Sequence, residues 1–241
     1  LIAYRQWGEF MYHNGTLVKD ACGNPISLKA AAEKAIKALV DTIPDYMDNG
    51  VMAGYMSGVI GVDGYVKSGN TWGELTMWRA TQNTYPWAKA LPTLGGNYGA
   101  HYFDYNAPAY FKEFAHFLET EGNGNTWQIE QFKRAEASSD WLMGQAYAQG
   151  HIPNIGKVYS SSDGTFTFGS FNSGEDFRAS WRTILNYVWN GNPTTKWDPL
   201  THQVIPGANT YERDMALRHA AMLKEPKAGG TVRCKKNGGF S

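Results

Sequence analysis

Glu175, Asp176 and Arg178 lie within four positions of one another, and they carry the chemistry most easily read from this chain. They sit near the start of the stretch FNSGEDFRASWRTILNYVWNGNP, residues 171–193. The first turn of a helix favours an ionised carboxylate, and a neighbouring guanidinium favours it further. A carboxylate held ionised in that way can take a proton from water, which is the task of a general base. Acids in a first turn also serve as plain complements to the helix dipole, so the local pattern fits both uses.

The elements that must hold these residues follow from periodicity. Ser173 with Asp176 three residues on approximates a capping box and predicts a helix start. Trp181, Ile184, Leu185 and Val188 recur at helical spacing and predict its buried stripe. Gly191, Asn192 and Pro193 end it.

Five further helices are expected. LIAYRQWGEFMY (1–12) reads as an amphipathic helix closed by a turn at Asn14-Gly15. Ser27 caps SLKAAAEKAIKALVD, with Ala31, Ala35, Ile36 and Leu39 on its inner face. NAPAYFKEFAHFLE (106–119) is the next helix. Asn125, with Gln128 at the third position, caps another that runs to Gly150. Residues 151–171 read as a loop, and Thr194 to Gly207 as a polar connection. Asn209, with Glu212 at the third position, caps the last helix, and a Gly- and Lys-rich tail follows Pro226. Six helices with long and short connections, no βαβ alternation and no fixed-period repeat predict an all-α chain in which helix pairs circle a groove, an α/α toroid.

Asp45 to Tyr105 is long, irregular and rich in Gly, Tyr and Trp, with room for short strands. A connection of this length in a compact domain points to function. Trp72, Trp78, Tyr85, Trp87, Tyr98 and Tyr102 are candidates for lining a binding groove, although each alone also reads as a packing residue.

Composition narrows the ligand class. With 22 basic and 22 acidic side chains, the chain has no electrostatic case for nucleic acid or a membrane surface. No apolar run approaches the roughly 20 residues of a membrane-spanning helix, and no signal peptide is visible. The 9 Trp, 14 Tyr and 11 Phe, with only 18% charged residues, suit a carbohydrate ligand, whose apolar ring faces stack on aromatic side chains. Large packed cores use aromatics as well. Six His without HExxH or paired spacing predict no catalytic metal, and no cofactor is expected. Cys22 and Cys234 form either a disulfide or two unrelated thiols.

Four segments carry a family likeness. DYNAPAYFKEFA (104–115) resembles the S-Y-F-A-P-A-[WY]-Y-K-x-[FY]-A segment of glycoside hydrolase family 8. GHIPNIG (150–156) is similar to its G-L-x-P-D-W, and GEDFRASWRTILNYVWNGNP (174–193) to its Y-D-A-x-R-x-x-W-R-x-x-x-D-Y-x-W-x-G. LIAYRQWG (1–8) resembles the helix that follows the family's D-x-D-L-D-I-A motif. The resemblance implies an (α/α)6 barrel in a secreted or periplasmic bacterial enzyme. It also implies endo-acting, inverting hydrolysis of β-1,4-linked glycan, with no nucleic-acid or membrane partner, and we expect a monomer.

The family's base is an Asp three residues before the Arg of D-A-x-R. Counting back from Arg178 lands on Glu175, with Asp176 adjacent, so both are candidates, with a slight preference for Asp176 because the family's residue is Asp. Tyr105 matches a tyrosine implied to help hold the nucleophilic water, and Arg178 would orient the base. The family's general acid, a Glu in S-E-G-x-[SG]-Y-G-M, has no counterpart here. The expectation is therefore a partial barrel lacking the acid-bearing part and the C-terminal helices, with little activity of its own. A non-catalytic glycan-binding protein of the same fold is the alternative.

Overall fold

A computed structural model describes residues 1–8, 12–13, 16–40, 47–48, 51–52, 60, 64–66, 100–148, 155–160, 166–172 and 176–224. Among these the chain is mostly helical. Its helices are α1 (Ile2–Trp7), α2 (Leu28–Lys37), α3 (Pro108–Thr120), α4 (Thr126–Ala148), α5 (Asp176–Asn190) and α6 (Tyr211–Lys224). The strands are β1 (Tyr12–His13), β2 (Thr16–Leu17), β3 (Met47–Asp48), β4 (Val51–Met52), β5 (Ala100–Tyr102), β6 (Ile155–Ser160), β7 (Phe166–Asn172), β8 (Thr195–Asp198) and β9 (Gln203–Pro206).

Helix α4 is the central element, because its middle is buried on several sides at once. Phe132 and Ala135 face a core shared with Ile36 and Val40 near α2 and with Phe111, Phe117 and Leu118 of α3. Ala137, Leu142, Met143 and Ala146 face a second core with Phe103, Ala179, Trp197 and Tyr211. Each fully buried Phe or Leu of this kind contributes roughly 1.5–3 kcal/mol. The start of α4 is held by a reciprocal cap: Gln128 N–H donates to Asn125 Oδ1 at 2.9 Å, and Asn125 N–H to Gln128 Oε1 at 3.1 Å. The α3–α4 turn needs glycine at 124, since a Cβ there would lie 2.6 Å from Leu118 Cβ.

Several local expectations hold. Ser27 Oγ accepts from Ala30 N–H at 3.1 Å and starts α2. Gly191, at φ 71°, follows α5 and donates its N–H to Tyr187 O at 2.8 Å.

Others are corrected. The inner face of α2 presents Ala32 and Ile36, while Ala35 is exposed. Helix α1 stops at Trp7, and His13 and Thr16, which flank the expected Asn14-Gly15 turn, pair as antiparallel strands. Residues expected as a loop at 151–171 form most of β6 and β7, an antiparallel pair with Phe166, Phe168 and Phe171 recurring along β7. The polar connection at 194–207 is a second hairpin, β8–β9. Asp198 closes its turn, accepting from Leu200 N–H at 2.9 Å and Thr201 Oγ1 at 2.6 Å. Helix α6 starts from Thr210, whose carbonyl accepts from Asp214 N–H at 2.9 Å; Asn209 Oδ1 is buried and has no hydrogen-bond partner among the described residues.

The largest correction concerns α5. Trp181 is 51% exposed and Val188 68% exposed, and Ile184 and Leu185 are only half-buried. The inner face is instead Ala179, Ser180, Thr183 and Asn186. Small and polar residues at i, i+4 and i+7 let α5 approach α3 and α6 closely.

Candidate functional site

The three-stranded sheet β5–β6–β7 sets the geometry of the expected site. Strands β5 and β7 both run antiparallel to β6, and Tyr102 and Asn172 lie opposite the same residue, Ile155. Both outer strands therefore leave the sheet at one end, about 10 Å apart across two strand spacings. From that end β5 enters a 3₁₀ turn, Phe103–Tyr105, and β7 leads towards α5, whose first residue is Asp176. The 3₁₀ turn packs against α5. The elements that carry Tyr105, Asp176 and Arg178 thus meet at one sheet end. Tyr105 is 42% exposed and Arg178 is also exposed.

The turn is anchored from behind. Buried Asn106 donates its backbone N–H and its Nδ2 to Phe103 O, at 3.0 and 3.2 Å. Its Oδ1 accepts from Ser139 Oγ on α4 at 3.0 Å. A surface tyrosine on a turn pinned to the central helix is held in place without being buried, as a residue that meets a ligand must be.

Of the remaining candidates, Tyr102 is the last residue of β5. Glu175, Trp72, Trp78, Tyr85, Trp87 and Tyr98 lie outside the described residues, as does Cys234. Cys22 is an exposed free thiol. Among the described residues no group of three His, Cys, Asp or Glu is placed to hold a metal ion. No described helix is long and apolar enough to cross a membrane.

A second constellation, absent from the sequence reading, lies where α4, α5 and α6 meet. Asp140 of α4 and Glu212 of α6 are 3% and 0% exposed. Asn186 Nδ2 of α5 donates to Glu212 Oε1 at 2.9 Å and reaches Asp140 Oδ1 at 3.4 Å. Tyr211 OH lies 3.2 Å from the same Asp140 oxygen and 3.4 Å from the same Glu212 oxygen. Two oxygens that share both donors are close neighbours. If both carboxyls were ionised at about 4 Å, they would repel by about 4 kcal/mol even at an effective dielectric of 20.

Burial, then the charge of Glu212, pushes the Asp140 carboxyl well above its usual range. Burial raises Glu212 as well, against hydrogen bonds from Asp140 and Asn186 that hold it down. Burial raises Glu136, one turn before Asp140, to about 7, although Lys112 Nζ lies 3.8 Å from it. Tyr211 is pushed well above 10 by burial and the two acids.

Asp140, Tyr211, Trp141 and Asn209 line a cavity of about 390 Å³. Glu136, Lys112 and Lys133 line an adjacent one of about 540 Å³, and Thr195 borders both. The signal missed in the sequence was the i, i+4 pair Glu136 and Asp140 inside an otherwise buried helix, and Glu212 was assigned to a cap.

No protein-family model, curated protein or solved structure matches this chain.

Proposed function

We propose that the protein is an endo-acting, inverting hydrolase of β-1,4-linked polysaccharide, a β-glucan or xylan, built on an (α/α)6 toroid and working outside the bacterial cytoplasm. The reading rests on the four family-like segments together with one structural observation. The β5–β6–β7 register delivers the Tyr105 turn and the start of α5 to the same sheet end. There Asp176 or Glu175 would take the proton from the attacking water, Arg178 would orient that base, and Tyr105 would help hold the water. Inversion also requires a carboxylic acid on the other face of the sugar, roughly 6.5–9.5 Å from the base. Asp140 and Glu212 are poor candidates. Asn186, which binds both, lies ten residues along α5 from Asp176, about 15 Å at 1.5 Å per residue.

Because residues 1–241 are expected to have little activity of their own, the test is release of reducing ends from β-glucan and xylan by the full-length protein, with the anomer of the first product read by proton NMR. On this reading the product has inverted configuration. Replacing the base, by Asp176→Asn or Glu175→Gln, lowers the rate by about 10²–10⁴-fold without changing the melting temperature. A product of retained configuration, or activity untouched by both substitutions, overturns it.

The lack of an S-E-G-x-[SG]-Y-G-M segment in residues 1–241 favours a second reading, a glycan-binding protein with the groove kept and the chemistry lost. Saturable binding of oligosaccharides that remain intact after long incubation selects this one.

A further inference from the structure

We propose that Asp140 and Glu212 share a single proton that clamps α4, α5 and α6 together, making the junction a pH-sensitive device that loosens as the proton is lost. This inference does not depend on the glycan reading.

The geometry carries it. Each of the three helices supplies part of the cluster: Asp140 from α4, Asn186 from α5, and Tyr211 with Glu212 from α6. Among the described residues, the donors directed at the two acids from other side chains are one amide nitrogen and one phenol, and both are directed at Asp140 Oδ1 and Glu212 Oε1. Glu212 Oε2 is buried and makes no hydrogen bond among the described residues. Nor does any Lys or Arg form an ion pair with either acid among those residues. A buried carboxylate pair with so few donors and no paired cation is stable only if one member stays protonated and donates to the other.

The charged and titratable surroundings agree. Glu136 and Lys133 come from α4, Lys112 from α3, Tyr211 from α6 and Lys196 from the β8 edge of the shared cavity. Lys112 is the cation whose charge acts on Glu212, and it is already engaged 3.8 Å from Glu136.

The sign of the pH dependence follows. Asp140, Glu212 and Glu136 have folded-state values raised above those of the unfolded chain. Their contribution is complete below about pH 4 and is lost as pH rises through the raised values, for Glu136 through about 7. His202 acts in the opposite direction. Burial lowers it to about 4, so it costs stability as pH falls from about 6.5. The two trends oppose each other below pH 6.5. Above that, among the described residues, burial lowers the Leu1 amino group below its usual 8.0, so it adds stability as pH rises towards 8, and a net fall between pH 6.5 and 9 comes from the acids.

In that window the melting temperature of the full-length protein should fall by about 3–5 °C per pH unit for each proton of difference. Asp140→Asn supplies a neutral N–H donor in place of the shared proton and should flatten most of that slope, while His202→Gln should leave it. A flat profile from pH 6.5 to 9, or a full slope kept by Asp140→Asn, overturns the proposal. If Asp140→Asn does not fold, infrared spectra of Glu136→Gln decide, since that change removes the other acid that titrates in this range. A protonated carboxyl band present at pH 6.5 and fading by pH 9 in that variant supports the shared proton; its absence at pH 6.5 overturns it.

Discussion

The sheet end and the helix junction place carboxylates in opposite circumstances at two points along one helix, α5. At one end of α5, Asp176 opens the first turn, where the helix dipole favours the charged form, and Arg178 is exposed two residues on. About 15 Å along, Asn186 faces two almost wholly buried acids that would repel one another if both were charged. On the proposed reading the acid at the sheet end takes a proton from water, whereas the two at the junction keep one between them. The junction also supports the sheet end, since Asn186 fixes α5 while Ser139, next to Asp140, fixes the Tyr105 turn through Asn106.

That division is tested most sharply by the base substitutions already described, whose 10²–10⁴-fold loss of rate should come with no loss of stability. Asn186→Leu should do the reverse. It removes the donor shared by Asp140 Oδ1 and Glu212 Oε1 and leaves two buried acids with one fewer partner. The expected cost is about 1–3 kcal/mol, visible as a fall in the denaturation midpoint and steeper at pH 8 than at pH 6. Equal stability of Asn186→Leu and the parent chain at both pH values would mean that the junction holds nothing in place.

Local signals were legible in the sequence and the inward direction of a face was not. Ser27 and Asn125 cap their helices as read, because a cap is a contract between residues three apart and needs no knowledge of the fold. Glu212 fits the same cap pattern, yet it is drawn into the core by Asn186, a partner from tertiary structure. The strands at 155–172 were hidden by a Ser-, Asp- and Gly-rich centre, and the alternation Phe166-Thr167-Phe168 at the start of β7 is too short to mark a strand. The meeting of Tyr105 with α5 depends on the shared partner Ile155, a register that only the sheet reveals.

A smaller effect is expected at the cap of α4. Asn125→Ala removes the acceptor for Gln128 N–H and should cost about 1 kcal/mol, checked by urea denaturation, with no change in the pH slope because the cap contains no titrating group. A loss several times larger would mean that the cap also fixes the α3–α4 turn around Gly124.

The smallest effect separates the two faces of α5. If the apolar spacing Trp181, Ile184, Leu185 and Val188 marked the buried stripe, Val188→Ser would open a cavity and cost several kcal/mol. With Val188 68% exposed and Asn186 buried on the other side, the change should stay within about 0.5 kcal/mol. Chemical denaturation at pH 6 measures this, and a large loss would return the apolar face to the core and put the inward position of Asn186, and the clamp built on it, in doubt.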